Sequence, residues 1–449
     1  MSVRQSHSLR NFLNDVREKS IVEKMKLLPI QKAIMCFSEP RIYSPSLAGV
    51  FMIEGKIDKK KLETVIDDIV HTNDAFSYRF VYDKNDDEIY QYKVEGTSYT
   101  LDERTASGDT EEDKLQDIRD QIAEVRRINV EGNFKGEVPW NIIVFDMGED
   151  KYILYVRLFH LITDGMSIGI LINKIISGYN GAPAAVSANM SDYLKDSFEY
   201  LGSSEYEELL KKNDDLIKSH MEYKPFLKTP CSDDRNFAKY SDFITLKKDK
   251  LAETCRKNRL SYFHVALLMA HTMFSVVFDR DETRLTIPIG PRKKKYMTTI
   301  GPLIDSYFSR IKLDVNKTML ENTIECRNFN IRETKIAPIM AHVVTERDMP
   351  MECIVTYQSY ITNFGEQMPF GEAKARAIAD NGMMDYYYSN CLCLSGVETD
   401  DAVILSLRND GVLMNNEQVA MGVKVFETVY NCLTEKDMTF GELKKQFNK

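Results

Sequence analysis

The chain has 449 residues and a formal net charge of -9. This length exceeds what one hydrophobic core usually supports and predicts two compact lobes. The hydrophobic share of 43% and the charged share of 28% are typical of globular proteins and exclude a disordered or fibrous class. The mildly acidic charge disfavours a polyanionic partner, so we expect no nucleic-acid binding.

Neither export nor a membrane span is expected from the sequence. The first residues lack the apolar core of a signal peptide, and no run of about eighteen apolar residues occurs. The eight cysteines have neither metal-ligand spacing nor the density of a disulfide framework, which fits reduced thiols. The sequence therefore predicts a cytoplasmic protein without a metal site.

Residues 1–180 form the predicted N-terminal lobe, in which strands alternate with helices. Its predicted elements are a strand at 46–54, a helix capped by Asp58 that runs to 70, a strand at 76–82, a surface helix at 113–127, a hairpin at 140–145 and 152–159, and an apolar helix at 166–178.

A polar segment rich in small residues, 181–240, is the predicted linker region, and 241–449 is the predicted C-terminal lobe. This lobe repeats the theme with a strand at 243–246, one helix at 248–278, a strand at 284–289 and a last helix at 417–433. The order of elements predicts a pseudo-duplicated α/β architecture.

The segment from His160 to Gly165 carries the strongest chemical signal. His160 stands where a predicted strand ends, and a helix is predicted to begin directly behind Gly165. Histidine is the side chain that titrates near neutral pH without help, so an imidazole at such a turn can take a proton from an attacking amine, alcohol or thiol. The pattern is typical of a general base.

Asp164 has two candidate roles in this loop. It either orients His160 directly or pairs with a distant cation, and we favour the second role. Arg292 is the candidate partner, because a buried carboxylate needs a charge partner and a guanidinium fits it with two prongs. Such an ion pair would join the two lobes.

A histidine with a nearby aspartate also occurs as a hydrogen-bonded structural residue, and the motif by itself does not decide between the two readings. The remaining histidines are weaker candidates. His264 and His271 have core-like spacing on an apolar helix. Cys391 and Cys393 alternate within a predicted strand, which indicates packing rather than a metal site.

The sequence resembles the condensation domains of nonribosomal peptide synthetases, within the chloramphenicol-acetyltransferase-like superfamily, along nearly its whole length. The segment from His160 to Gly165 is similar to the second His, the Asp and the Gly of the family signature His-His-x-x-x-Asp-Gly. Further segments that resemble family motifs lie at Leu28 to Gln31, Gly55 to Asp58, Asn73 to Phe80, Tyr179 to Gly181, Ile289 to Arg292 and Ile300 to Asp305.

Three positions depart from the family pattern. Phe159 replaces the leading His, Asp305 replaces a usual Asn, and Ser77 replaces a usual Arg. The simpler acyltransferases of the superfamily use only His-x-x-x-Asp-Gly, so Phe159 is compatible with catalysis and points toward acyl transfers other than peptide condensation.

The resemblance implies an α/β (α+β) fold of two chloramphenicol-acetyltransferase-like lobes in a V-shaped pseudo-dimer, with His160 midway along a tunnel between them. A thioester donor would enter one side and a small-molecule acceptor the other. The Gly165 N–H would stabilise the developing oxyanion. The implied tunnel residues are Phe159, Asp305, Tyr357 and Ser359.

The implied activity is formation of an amide or ester from a carrier-bound acyl thioester. No adenylation or carrier-protein motif occurs, so an acyl or peptidyl carrier protein on another chain is the expected partner, and no cofactor beyond the phosphopantetheine arm is expected. Two alternatives stay open. One is an acyltransferase that uses acyl-coenzyme A, and the other is a catalytically silent module that recruits a carrier protein.

Overall fold

A computed structural model of the chain describes residues 24–37, 45–83, 85–183, 188–225, 239–240, 244–346, 352–358, 367–378, 380, 382–383, 392–409 and 413–447. Two large sheets, one in each half of the chain, carry helices on their faces, and a small sheet completes the first half. Ser359, a predicted tunnel residue, and Cys391, which was predicted to lie in a strand, are both outside the described residues.

Sixteen strands are present in the described part of the chain. They are β1 Met25–Lys26, β2 Ser46–Glu54, β3 Tyr78–Asp83, β4 Glu88–Lys93, β5 Asp102–Thr105, β6 Trp140–Gly148, β7 Lys151–Phe159, β8 Lys239–Tyr240, β9 Ile244–Lys247, β10 Glu282–Ile289, β11 Asp305–Lys312, β12 Cys353–Gln358, β13 Met368–Phe370, β14 Ala373–Ala377, β15 Leu392–Glu398 and β16 Ala402–Asn409.

Thirteen α-helices lie between and after these strands within the described residues. They are α1 Pro29–Phe37, α2 Lys59–Thr72, α3 Glu111–Gly132, α4 Gly165–Tyr179, α5 Met190–Leu201, α6 Ser204–Lys212, α7 Asp214–Met221, α8 Lys248–Asn258, α9 Tyr262–Val277, α10 Met319–Glu333, α11 Ala337–Glu346, α12 Asn416–Thr434 and α13 Phe440–Phe447.

The first large sheet has the strand order β13-β14-β2-β7-β6-β5. Strand β7 is apolar from Tyr152 to Val156 and is buried along almost its whole length, because helices cover both faces of the sheet. The predicted β6–β7 hairpin is confirmed. Its turn residues Glu149 and Asp150 both have φ near +55°, the conformation that two-residue hairpins favour.

Helices α2 and α4 pack together on one face of this sheet, and α3 covers the other face with a second apolar cluster. Helix α2 begins as predicted at Asp58, whose carboxylate accepts a hydrogen bond from Lys61 N at 3.0 Å. Helix α4 places Ile168 against Gly49 of β2, which is a close contact that a larger residue at 49 would disturb.

The second large sheet has the order β11-β10-β12-β15-β16, with β8 and β9 both paired to β16. Helix α9 is buried from Val265 to Val276 and forms the centre of the core in this half. The prediction of a single helix at 248–278 was wrong. Arg259 adopts a left-handed backbone (φ 54°) and ends α8, and the Ser261 side chain caps α9 by accepting from His264 N.

The hairpin of β13 and β14 extends the sheet of the first half, because β14 pairs antiparallel with β2 in the register Ala375↔Ile53. The end of α4 holds this hairpin. Tyr179 stacks on Phe370 with ring centroids 4.0 Å apart, and the Asn180 side chain accepts from Gly371 N at 2.7 Å. The predicted lobe boundaries at 180 and 240 stay a prediction, and residues 368–377 belong by hydrogen bonding to the first sheet.

Within the described residues, no single helix has the length and apolar composition needed to cross a membrane. Helices α8 and α9, which are bent by 99° relative to each other, meet these two criteria only when they are taken together.

Candidate active site

The turn that carries His160 joins β7 to α4. His160 is the first residue after β7, and its backbone N–H donates to Pro45 O at 2.7 Å, which fixes the strand end against the residue before β2. The chain then turns through a hydrogen bond from Ile162 N to Phe159 O at 2.9 Å, and α4 begins at Gly165. The sequence prediction of a strand-to-helix turn at this motif is confirmed.

The His160 ring is almost buried, with 7% of the residue exposed. Its Nδ1 lies 2.9 Å from the Thr163 carbonyl oxygen. A carbonyl oxygen only accepts hydrogen bonds, so Nδ1 carries the proton and Nε2 carries the lone pair. Burial lowers the pKa of His160 because it disfavours the charged imidazolium. The ring is therefore neutral at pH 7, with a basic Nε2.

Asp164 does not orient His160 through a hydrogen bond in this structure. It is the N-cap of α4, and its Oδ1 accepts from Ser167 N at 2.8 Å and lies 2.9 Å from Ser167 Oγ. Arg292 Nη2 donates to both carboxylate oxygens, at 2.7 and 2.9 Å. Of the two roles considered from the sequence, the geometry places Asp164 with the distant cation.

The Asp164–Arg292 pair is almost fully buried, with side-chain exposures of 3% and 1%. The other guanidinium nitrogen, Arg292 Nη1, donates to Tyr296 O at 3.0 Å and to Thr299 O at 2.6 Å. The guanidinium thus connects the N-terminus of α4 with the 290–301 segment of the second half. A buried carboxylate held in this way compensates its own desolvation through charge and hydrogen bonds.

Ser167 belongs to the same cluster and was missed by the sequence analysis. Its Oγ lies 3.0 Å from Gly301 O, accepts from Gly301 N at 3.1 Å and accepts from Arg292 Nη2 at 2.9 Å. One signal was present in the sequence, namely a small hydroxyl side chain three residues after the capping Asp164 on an otherwise apolar helix. The partner, a backbone segment 134 residues away, has no such signal.

Phe159 and Gly165 flank the motif in different surroundings. The Phe159 ring is fully buried and packs edge to face on Phe80 and Phe134, with centroid distances of 5.2 and 5.7 Å. These are core contacts, and a role in lining a tunnel stays a prediction. Gly165 is exposed at the first position of α4, where a backbone N–H has no acceptor within the helix.

Asp305 is the first residue of β11 and faces Ile289 of β10 in the antiparallel register. The residue is half-buried, and burial raises the pKa of its carboxyl to about 7. The register thus places Asp305 opposite the end of β10, three residues before Arg292, and its predicted role in the tunnel stays a prediction.

Tyr357 is held elsewhere, within the second sheet. Its hydroxyl donates to Glu398 Oε1 at 2.8 Å, and its ring packs against Phe263 at a centroid distance of 5.4 Å. Glu398 in turn pairs with Lys248 at 2.9 Å. The structure brings His160, Asp164 and Arg292 together and gives Tyr357 other partners, so its predicted role in the tunnel stays a prediction.

His271, a buried histidine outside the motif, has both ring nitrogens engaged in the fold. His271 contacts Thr283 Oγ1 at 2.7 Å and Ser309 Oγ at 2.9 Å, and burial lowers its pKa to about 3. Among the described residues, no group of three or more His, Cys, Asp or Glu side chains is arranged to hold a metal ion. The catalytic role of His160 stays a prediction.

Comparison with known proteins gives one curated relative and several solved structures of similar fold. Surfactin synthase subunit 2 of Bacillus subtilis (strain 168) is 24% identical over 197 residues, which make up 42% of this chain but only 5% of that protein. The chain thus matches a small part of the length of this relative. At this identity and coverage, the activity of the relative does not transfer to the chain.

Solved structures share the fold at low sequence identity. The complex of the X-domain and OxyB from teicoplanin biosynthesis gives a TM-score of 0.75 at 14% identity, with 95% of this chain and 97% of that chain covered. The first condensation domain of the calcium-dependent antibiotic synthetase, in complex with a substrate analogue, gives 0.71 at 13%, covering 94% and 99%. The condensation domain from Monacolin K polyketide synthase MokA gives 0.74 at 11%, covering 94% and 100%.

These likenesses show the fold, and they confirm the α+β fold class that the sequence predicted. The family model described as Condensation domain matches residues 22–355, which is most of the chain. This match also confirms the resemblance found in the motifs around His160 and Arg292. The chain therefore belongs to the condensation domain family.

Proposed function

We propose that the chain is an acyltransferase that forms an amide or ester between a carrier-bound acyl thioester and an amine or alcohol acceptor, with His160 as its catalytic residue. The observation that carries this proposal is the state of the His160 ring. Nδ1 is fixed on the Thr163 carbonyl, and burial keeps the ring neutral, so Nε2 is available as a base.

In the proposed reaction, the acceptor nitrogen or oxygen attacks the thioester carbonyl and forms a tetrahedral intermediate. His160 Nε2 takes the proton of the nucleophile. Collapse of the intermediate breaks the C–S bond, and the departing thiolate recovers the proton from the imidazolium. The nucleophile gains the acyl group, and one thiol is released for each product molecule.

The Gly165 N–H is the proposed donor to the oxyanion. Gly165 occupies the exposed first position of α4, and helix N-termini favour negative charge. The buried Asp164–Arg292 pair and Ser167 have a positioning role, since they fix the N-terminus of α4 against the 290–301 segment.

Two alternatives differ from this proposal in the molecule that the chain binds. A coenzyme A-dependent acyltransferase would use the same His160 chemistry with a different thiol. A silent recruitment module would bind a partner protein without turnover. The similar fold of the structure of the X-domain in complex with OxyB supports this alternative.

The experiment that separates these functions offers the chain matched acyl groups on a phosphopantetheinylated carrier protein and on coenzyme A, with amine and alcohol acceptors. Mass spectrometry follows the product, and a thiol assay follows the released donor. Product with stoichiometric thiol from the carrier supports the proposal, and product only from acyl-coenzyme A supports the first alternative. Carrier binding without product from either donor contradicts an enzymatic role.

A further inference from the structure

A hydrogen bond from helix α1 ends on the turn that carries His160. Gln31 Nε2 donates to the Leu161 carbonyl oxygen at 2.8 Å, although the two residues are 130 positions apart in the sequence. Gln31, Leu161 and Ile162 are all fully buried. Gln31 closes the Leu28 to Gln31 segment that resembles a family motif, and the proposed mechanism gives this residue no role. The bond therefore joins a side chain of α1 directly to the loop of the proposed base.

Two backbone groups fix the orientation of the Gln31 amide. Its Oε1 accepts from Leu28 N at 2.8 Å, and its Nε2 faces Leu161 O. A backbone N–H only donates and a carbonyl oxygen only accepts, so the two contacts agree on which end of the amide carries the oxygen. Gln91 forms two further hydrogen bonds with this amide, each of 3.0 Å, and also donates to Lys26 O at 3.1 Å. The amide is thus a rigid donor that points at the turn.

Helix α1 gives this donor a fixed support. It packs against α11 of the second half, and Lys32, also on α1, pairs with Glu88 of β4 at 3.0 Å. The second half of the chain therefore reaches the turn by two routes. One route runs through Arg292 to Asp164, and the other runs through α11 and α1 to Leu161.

The peptide group between Leu161 and Ile162 is held at both of its polar atoms. Ile162 N donates back to the end of β7 at 2.9 Å, and Leu161 O accepts from Gln31. The turn held in this way places Thr163 O 2.9 Å from His160 Nδ1. Without Gln31 the buried Leu161 oxygen would lose its side-chain donor, which is unfavourable, so turn conformations that direct this oxygen elsewhere would compete. A rotation of this peptide would also move the Thr163 carbonyl.

We propose that Gln31 is a positioning residue, which holds the turn in the conformation that gives His160 a protonated Nδ1 and a free Nε2. It acts through Leu161 and Thr163 rather than on the reactants. No bond is made or broken at Gln31, and the proton of the nucleophile still passes to Nε2. This inference rests on the proposed function and adds to it the residue that controls the tautomer of the base.

The test compares Gln31→Met with the matched control Gln91→Met. Both residues are fully buried, and both substitutions keep the side-chain length and abolish the hydrogen bonds between the two amides. Only Gln31→Met removes the donor to Leu161 O. With saturating donor and acceptor, we expect kcat to fall by about 10- to 100-fold in Gln31→Met, since the base is misplaced, and KM to stay within about threefold of the wild type. Gln91→Met should stay within about threefold in both constants.

Nitrogen-15 NMR of the His160 ring reads the tautomer without turnover, and the spectrum of His160→Ala identifies its signals. The wild type and Gln91→Met should show the Nδ1–H tautomer at neutral pH, and Gln31→Met should show a mixture of the two neutral tautomers. If Gln31→Met does not fold, Gln31→Glu takes its place. Its ionised carboxylate keeps the acceptor for Leu28 N and has no proton for Leu161 O, so the same losses are expected.

The two readouts separate this inference from the proposed function. If no donor and acceptor yield product but the tautomer changes in the Gln31 variant and not in Gln91→Met, the positioning role stands and the proposed function fails. If the folded Gln31 variant keeps the wild-type kcat and the wild-type tautomer, the inference is overturned. Equal losses of kcat and of the tautomer in Gln91→Met would also overturn it, because the contact with Leu161 would then not be the cause.

Discussion

The Thr163 carbonyl oxygen lies 2.9 Å from His160 Nδ1, and this contact decides which ring nitrogen carries the proton. Because the turn itself provides the acceptor, the motif needs no second side chain in contact with Nδ1 to orient its histidine. Asp164 is not needed to orient the ring, and it pairs with Arg292. The same short loop therefore carries both the proposed base, His160, and the ion pair that links the two halves of the chain.

The pH dependence of activity follows from the His160 ring. Burial lowers its pKa from the usual 6.5, and in the proposed mechanism the unprotonated Nε2 is the active form. With an alcohol acceptor, which does not ionise in this range, kcat/KM should be constant at neutral pH and should fall as the pH drops through the lowered pKa. The pH–rate profile should thus have its acid midpoint below 6.5, and a midpoint above 6.5 would count against His160 as a buried base.

Stability has to be followed over the same pH range. Burial lowers the pKa of His264 to about 4 and of His271 to about 3. Between pH 6.5 and these values the unfolded chain binds protons that the folded chain does not, so stability is present above pH 6.5 and is lost as the pH falls. Circular dichroism at each pH separates this loss of fold from the titration of His160.

Removing one partner of the buried ion pair should destabilise the fold strongly. Arg292→Ala leaves the Asp164 carboxylate buried without its cation, which typically costs about 3 to 5 kcal/mol of the free energy of unfolding. Lys250→Ala is the matched control, because the Lys250–Glu435 pair is more than half exposed and should change stability by less than about 1 kcal/mol. Urea denaturation measures both, and equal losses would show that the buried pair contributes no more than a surface pair.

Ser167→Ala removes the hydroxyl that the Gly301 N–H and Arg292 Nη2 donate to. Because these buried donors lose a partner, we expect a loss of about 1 to 3 kcal/mol in stability together with a lower kcat. Thr64→Ala is the control, since its hydroxyl is exposed and bonds within α2. A Ser167→Ala protein with unchanged stability and kcat would contradict the positioning role of this hydroxyl.

The β13–β14 hairpin offers a test of how the second half of the chain completes the first sheet. Gly371 has φ +63°, and an added Cβ would lie 2.8 Å from the Tyr179 ring, so Gly371→Ala combines backbone strain with a clash. Gly96 has φ +68° with open space around it, so Gly96→Ala has the strain alone. The first variant should lose at least about 1 kcal/mol more than the second. Equal losses in thermal unfolding would mean that the hairpin does not pack on α4 in solution.

Local patterns in the sequence predicted the elements around the site well. The apolar run after Lys151, the turn at Gly148 and the apolar helix behind Gly165 each have a short-range signature, and the structure confirms them. The break between α8 and α9 was missed because Arg259, rather than a glycine, adopts the left-handed conformation there.

Contacts that depend on distant backbone could not be predicted. The Thr163 carbonyl has no side-chain signature as a partner of His160, and the pairing of Ala375 with Ile53 joins segments more than 300 residues apart. The Asp164–Arg292 contact could be predicted from the sequence, because a buried carboxylate needs a cation and this restricts its possible partners to cationic residues.

The most direct test of the central claim measures product formation from an acyl-loaded carrier protein and an amine acceptor with the wild type, His160→Ala and His71→Ala. His71 is exposed on α2 and serves as the matched control. We predict that His160→Ala lowers kcat by about 10²- to 10⁴-fold while keeping its fold, and that His71→Ala behaves as the wild type. A folded His160→Ala protein that forms product at the wild-type rate would contradict the assignment of His160 as the catalytic base.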